Sequence, residues 1–196
     1  MDRYDYFPSS VYREEHPDWV DYTRQAVQKY YDQVASDGAV DQTGPMANDP
    51  DLKFLVDYLV LASDTILREQ GYDMDRYELY VSGLWGQDVK CKGGTNIHVH
   101  KHSQICGWFF LETPEGGAYP VYHEPRMNKQ MAELDYARSS TLVYASPEVH
   151  FNNVKPGTIL MANSWLQHQL TFNSSQELTK SVHFTVSHKE RTCSTC

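Results

Sequence analysis

The chain has 196 residues, 40% of them hydrophobic and 22% charged, a balance that suits one globular domain with a sizeable core and excludes a disordered polyelectrolyte. Lys and Arg number 17 against 26 Asp and Glu, and a net charge of −9 opposes broad contact with a phosphate backbone, so a duplex nucleic-acid partner is not expected. The longest apolar runs, Leu59 to Ala62 and Ile105 to Leu111, are far too short to cross a bilayer, and no apolar stretch follows the basic residue of Met1-Asp-Arg-Tyr-Asp-Tyr, so the expected location is cytoplasmic.

In chain order, the first third reads as helix. Pro17 suits a first helical turn, Val20, Thr23, Val27, Tyr30, Tyr31 and Val34 recur at helical spacing, and Gly38 supplies a stop. Residues 37–50, rich in Gly, Asp, Asn and Pro, read as a connecting loop. Leu52, Leu55, Val56, Leu59, Ala62 and Ile66 then mark a second apolar helix face, closed by Gly71. From Tyr77 the pattern changes to short segments rich in β-branched and aromatic residues. Strands are expected over 77–85, 95–101, 107–111, 119–122, 141–145, 158–162, 165–170 and 180–187. Turn signals such as Gly93-Gly94 and Lys155 to Gly157 separate them, which suits a double-sheet jelly roll better than a parallel α/β fold. The expected organisation is a single domain over 1–196, with a helical part over about 1–74, a jelly-roll core over about 75–188 and a flexible tail over about 189–196. The four cysteines, including the lone Cys193-x-x-Cys196 pair, are too few to define a disulfide framework or a zinc knuckle and are expected to be free thiols.

The chemistry is concentrated in Thr95-Asn-Ile-His98-Val-His100-Lys-His102-Ser103. With a strand's period of two, His98 and His100 project from one face while Ile97 and Val99 take the other, so two imidazoles sit side by side and can reach one metal ion. Asn96 and His102 share that polar face. Taken alone, His-x-His is better read as a solvent-facing strand with scattered histidines, and the decision turns on a partner elsewhere. His168 lies 70 residues on, after Asn163-Ser164-Trp165-Leu166-Gln167, and in a jelly roll it can be brought across the barrel mouth to complete a three-ligand facial site with open positions. A hydrogen-bonded core histidine is the competing reading of that position.

An ordered set of short motifs carries a resemblance. His98-Val-His100-Lys-His102-Ser103, Cys106-Gly107-Trp-Phe-Phe-Leu111, Glu124-Pro125-Arg126, Pro156-Gly157, Asn163-Ser164-Trp165-Leu166-Gln-His168 and Lys180-Ser181-Val-His-Phe184 follow one another in the order and rough spacing of a family signature. Over about the last 110 residues the chain thus resembles the 2-oxoglutarate and iron(II)-dependent oxygenases common in marine bacteria and cyanophages; the helical third is unmatched. If phage-encoded, its location would be the host cytoplasm.

The resemblance implies a mainly β protein with N-terminal helices and a double-stranded β-helix, the cupin-like jelly-roll core of these oxygenases. It also implies iron(II) held by His98, His100 and His168, with His100 at the position that is usually a carboxylate. The cosubstrate would be 2-oxoglutarate, and the reaction hydroxylation of a small-molecule or protein side-chain substrate with release of succinate and carbon dioxide. Lys180, where the family usually carries Arg, is the expected anchor for the far carboxylate of 2-oxoglutarate; Arg126 is the second candidate. Ser103, Tyr122 and Ser181 can hydrogen-bond either carboxylate; Trp85, Trp108, Phe109, Phe110 and Trp165 can wall the site, although most of this set reads as plain core. Two alternatives stay open: a cupin-type three-histidine metalloenzyme that uses no oxo acid, and a non-catalytic metal-binding or virion-associated module of the same fold. The sequence specifies neither the substrate nor the oligomeric state.

Overall fold

A strand that is apolar at every position needs cover on both faces, and Ile105-Cys-Gly-Trp-Phe-Phe-Leu111 is such a strand. In the computed structural model, which describes residue 2 and residues 8–36, 38–130 and 146–191, it lies in the middle of a six-stranded sheet with helices on one side and a second sheet on the other. In chain order the elements are β1 (Val11–Glu15), α1 (Val20–Tyr31), β2 (Val40–Gln42), α2 (Lys53–Glu69), β3 (Tyr77–Val89), β4 (Ile105–Glu112) and β5 (Pro120–His123). After a four-residue helical turn, Met127–Gln130, come β6 (Glu148–His150), β7 (Thr158–Asn163), β8 (His168–Leu170) and β9 (Thr179–Glu190). The large sheet has the order β1-β7-β4-β9-β3-β2 and the small one β6-β5-β8, and the strands pair antiparallel in both. This is the jelly-roll arrangement that the turn pattern predicts. No helix among the described residues is long and apolar enough to cross a membrane.

Strand alternation sorts the large sheet's residues into two cores. Toward the helices, Ile105, Phe109, Leu111, Ile159, Met161, Val182 and Phe184 pack with Leu55, Leu59 and Ile66 of α2 and Val27 of α1. Toward the small sheet, Trp108, Phe110, Leu160 and Ala162 pack with Tyr122, Leu166 and Leu170. The glycine of the Cys106-Gly107 motif is a packing requirement: a Cβ there would sit 1.8 Å from the Leu160 carbonyl oxygen and 2.8 Å from the Phe184 ring.

Several expectations shift. Helix α1 ends at Tyr31, because the next turn tightens to i→i+3 bonds, Gln33 N–H to Tyr30 O and Val34 N–H to Tyr31 O, so Val34 lies beyond it. The helical third also supplies β1 and β2, short polar strands whose pairing with β7 and β3 no periodicity announces. Of the strand expected over 165–170 only β8 forms, since 164–167 make a turn closed by Leu166 N–H to Asn163 O. The strand expected over 141–145 and the Cys193 and Cys196 pair lie outside the described residues. Strand β9 runs to Glu190 and so takes in the first residues of the expected tail, while Cys91 and Cys106 are free thiols.

The two helices are tied together by Asp49. Its buried carboxylate accepts from Asp51 N–H at the entry to α2, from Tyr30 Oη at 2.9 Å and pairs with Lys29 Nζ at 2.7 Å. Burial alone would raise its pKa, but the bonds from Lys29, Asp51 N–H and Tyr30 outweigh it and hold Asp49 below the ordinary aspartate value of 3.8. Because the folded pKa is depressed, the stabilisation is fully present above the ordinary value and is lost as pH falls through the folded one. Asp49→Asn should therefore cost about 1–2 kcal/mol near neutrality. In urea denaturation followed from pH 7 downward, the gap between parent and variant should close below the ordinary aspartate value; a gap that widens on acidification would contradict this account.

Candidate metal centre

The segment 95–101 is an extended strap along the free edge of β8 rather than the regular strand its alternation predicts. Thr95 N–H donates to Leu170 O at 3.1 Å, His98 and His168 exchange N–H to O bonds of 3.0 and 3.1 Å, and His100 N–H donates to Ser164 O at 3.0 Å. The strap is launched by a tight turn in which Lys92 has φ 66° and a Cβ on Gly93 would meet the Ala39 carbonyl oxygen at 2.2 Å. Alternation holds along the strap: Ile97 and Val99 are 51% and 39% exposed, and the histidines face inward.

His168 is thus the lateral neighbour of His98 on an adjacent strand, not a residue reached across the barrel mouth as expected from the sequence. What lies across is a fourth imidazole, His183 of β9. Ring centroids are 4.9 Å apart for His98 and His100, 4.6 Å for His98 and His168, 5.2 Å for His100 and His168, and 4.7 Å for His100 and His183. One nitrogen from each of the four lies within 4.8 Å of the others.

The ring orientations favour metal binding. Nδ1 of His98 lies 2.7 Å from Asn96 O, and Nδ1 of His168 lies 2.7 Å from Leu166 O. A carbonyl oxygen only accepts, so Nδ1 carries the proton in both rings and Nε2 keeps a free lone pair. Among the described residues, Nε2 of His100 and of His168 is buried without a hydrogen-bond partner, as are both ring nitrogens of His183. Burial, with a smaller repulsion from His98, pushes the His100 pKa down to about 4, and burial pushes that of His168 down to about 3. Both rings are consequently neutral at physiological pH, the form that ligates, and the donor set suits iron, zinc, copper or nickel.

Aromatic rings enclose the cluster. Trp85 stacks on His183 at 4.4 Å, and Trp108 presents its face or edge to His168 at 5.2 Å and to His183 at 5.0 Å, held by Nε1–H donating to Gln87 Oε1. The Tyr122 ring is 5.9 Å from His168, and its buried hydroxyl has no hydrogen-bond partner among the described residues. Phe110 shares this inner core, whereas Phe109 packs in the core facing the helices and Trp165 is 51% exposed.

The other candidate residues separate. Ser181 is on the inner face of β9 with His183, its Oγ 3.4 Å from Gln87 O. Ser103 closes the turn after the strap by donating to His100 O. Arg126 is held by Glu124 through bonds of 2.7 and 2.8 Å; with Lys129 adding to the effect, it pushes the Glu124 pKa down to about 2. Lys180 requires a correction. Alternation along β9 turns Thr179, Ser181 and His183 inward and Lys180 toward the helices, where it pairs with buried Asp88 at 3.2 Å and lies 4.0 Å from the centre of the Tyr31 ring. The expectation that it anchors a carboxylate beside the histidines fails on this geometry. His183 joins the cluster without being among the residues the sequence singles out; its only local signal is the two-residue spacing that puts it on the same strand face as Ser181.

The family model described as "Putative 2OG-Fe(II) oxygenase" matches residues 83–185, just over half of the chain. No curated protein matches the sequence. Among solved structures, the chain is similar to the non-heme alpha ketoglutarate dependent carbocyclase SnoK from nogalamycin biosynthesis, with a TM-score of 0.64 and 16% identity over 93% of this chain and 82% of that one. It is similar to HygX from Streptomyces hygroscopicus, solved with nickel and 2-oxoglutarate bound, with a TM-score of 0.59 and 12% identity over 91% and 83%. A Pseudomonas putida prolyl-4-hydroxylase gives a TM-score of 0.56 and 10% identity over 92% and 94%. At these identities the likeness is one of fold.

The position of Lys180 generates a test. Lys180→Ala leaves the Asp88 carboxylate buried and unpaired, and removing one partner of such a pair costs about 3–5 kcal/mol. Thermal unfolding should therefore shift down markedly while bound metal per folded chain stays at the parent level. The double variant Asp88→Leu with Lys180→Met should recover most of the loss. Loss of metal in Lys180→Ala with an unchanged melting temperature would return the residue to the site.

Proposed function

Since the chain belongs to the 2OG-Fe(II) oxygenase family matched over residues 83–185, whose members use iron(II) and 2-oxoglutarate, we propose that it is a hydroxylase whose iron is held by His98, His100 and His168. The observation that carries this reading is the exchanged backbone pair of His98 and His168 with His100 on the same side, each ring offering Nε2 inward. Bound there, iron(II) and 2-oxoglutarate would supply, with dioxygen as the oxidant, oxidative decarboxylation of the cosubstrate to succinate and carbon dioxide, one oxygen atom entering succinate and the other a substrate C–H bond.

The chain's own residues position and shield. The Asn96 and Leu166 carbonyls fix the His98 and His168 rings, so the donors need little reorganisation on binding. Trp85 and Trp108 exclude water from the inner side. For the cosubstrate, the inward positions of β9 offer Thr179, Ser181 and His183, none of them a fixed cation like Arg or Lys. The group best suited to a carboxylate is the Tyr122 hydroxyl, which burial keeps protonated as a donor and which has no competing partner. Ser181 is the second donor on this face; Arg126 has its guanidinium committed to Glu124. The substrate is a small molecule or a protein side chain; HygX, of similar fold, has been solved with hygromycin B bound, which supports the former.

Metal analysis tests the ligand set. Each of His98→Ala, His100→Ala and His168→Ala should hold well under one iron per chain after dialysis, with the circular dichroism spectrum retained, whereas exposed His102→Asn should match the parent. Equal iron in His168→Ala and parent would remove His168 from the site. Tyr122→Phe should keep its iron and bind 2-oxoglutarate roughly 10- to 150-fold more weakly, the equivalent of one hydrogen bond to a charged group. An anaerobic titration of iron(II) protein with 2-oxoglutarate, watched for the visible charge-transfer band of the chelate, measures this directly. No band at millimolar 2-oxoglutarate with iron bound would defeat the oxygenase reading.

A further inference from the structure

We infer that His183 binds the cosubstrate and not the metal: its ring N–H donates to the metal-bound carboxylate of 2-oxoglutarate. The inference rests on the three-histidine reading made above and gives a role within the same site to a side chain that reading leaves unused.

Between Thr179 and Ser187 the inner face of β9 is polar throughout, and its hydroxyls are answered within the protein. Thr179 Oγ1 accepts from Ala118 N–H at 2.8 Å, Ser181 Oγ lies 3.4 Å from Gln87 O, Thr185 Oγ1 pairs with Ser82 Oγ at 2.9 Å and Ser187 Oγ donates to His102 O at 2.6 Å. His183, in the middle of this row, is 2% exposed and has no hydrogen-bond partner on either ring nitrogen among the described residues. A buried polar group is costly to leave unpaired, so its partner is one that arrives with a ligand.

The metal is not that partner. A facial set of three imidazoles leaves open the positions that a chelating 2-oxo acid and dioxygen fill, and a fourth protein ligand would displace one of them. His183 stands instead where an outer donor is needed. One of its nitrogens lies within 4.8 Å of the donor atoms of His98, His100 and His168. A carboxylate oxygen about 2.0–2.2 Å from an ion, accepting from a nitrogen about 2.7–3.2 Å away, puts that nitrogen within about 5 Å of the ion. A neutral imidazole has one N–H to give, whichever nitrogen carries it. Trp85 stacked at 4.4 Å and the Trp108 ring at 81° grip the imidazole by its π surface, which fixes its direction and leaves its edge free. With Tyr122 on the far carboxylate and His183 on the metal-bound one, two neutral donors hold the cosubstrate in place of a fixed cation.

The experiment is an anaerobic titration of the iron(II)-loaded full chain with 2-oxoglutarate, read at the visible charge-transfer band. The parent is compared with His183→Phe, which keeps a ring without an N–H, and with His183→Asn and His183→Gln, which present an amide N–H near the places of Nδ1 and Nε2. His183→Phe should keep its iron, bind 2-oxoglutarate about 10- to 150-fold more weakly and move the band maximum, because the lost bond is to a group on the iron. One of the two amide variants should recover part of both effects. Parent affinity with an unmoved maximum in His183→Phe would overturn the inference, and so would weaker binding with an unmoved maximum, which puts the contact away from the metal. Loss of iron in His183→Phe would overturn it too, by making His183 a ligand. If the variants do not fold, a crystal structure of the parent with manganese(II) and 2-oxoglutarate decides: a His183 nitrogen should stand about 2.7–3.2 Å from an oxygen of the metal-bound carboxylate, and the absence of that contact would overturn the inference. No band in the iron-loaded parent would defeat the oxygenase reading, and the inference with it.

Discussion

The backbone pair that His98 and His168 exchange sets the geometry of the centre. Because each residue's N–H donates to the other's carbonyl, the two side chains are locked on the same side of a two-stranded strip, and His100, two residues along, joins them. The strip has few bonds of its own. It is held in place by the turn at Lys92 and Gly93 on one end and by Ser103 and Ser187, the latter donating to His102 O, on the other. The donor atoms are therefore set by main-chain register, and the side chains need only adopt the rotamers that the Asn96 and Leu166 carbonyls select.

The large sheet performs a different task. Its central strands β4 and β9 present apolar residues to the helices and a mixed row of Trp108, Ser181 and His183 to the small sheet. A buried polar residue in such a row is tolerated only where something answers it. Gln87 answers Trp108, whereas His183 and Tyr122 are left for whatever enters the site.

Much of this was legible in the sequence, for reasons that can be named. The apolar face of α2 and the period-two pairing of His98 with His100 are local patterns, and both survive in the structure. The lateral pairing of residues 70 apart is not local, so the sequence alone does not tell a position beside His98 from one across the barrel. Lys180 was misassigned because a one-residue difference along a strand reverses the face, and an alignment by residue type alone does not fix that parity. β1 and β2 leave no mark in the sequence because edge strands with polar residues carry no hydrophobic period.

The opposed faces of β9 have a consequence for heat inactivation. Val182 and Phe184 are part of the core that α2 covers, and the residue between them, His183, belongs to the metal cluster. Fraying of the helical layer would therefore disturb the imidazole cluster from behind, with no ligand residue altered. A preparation warmed toward its transition should release metal and lose helical signal together, as one cooperative event, rather than passing through a folded apoprotein.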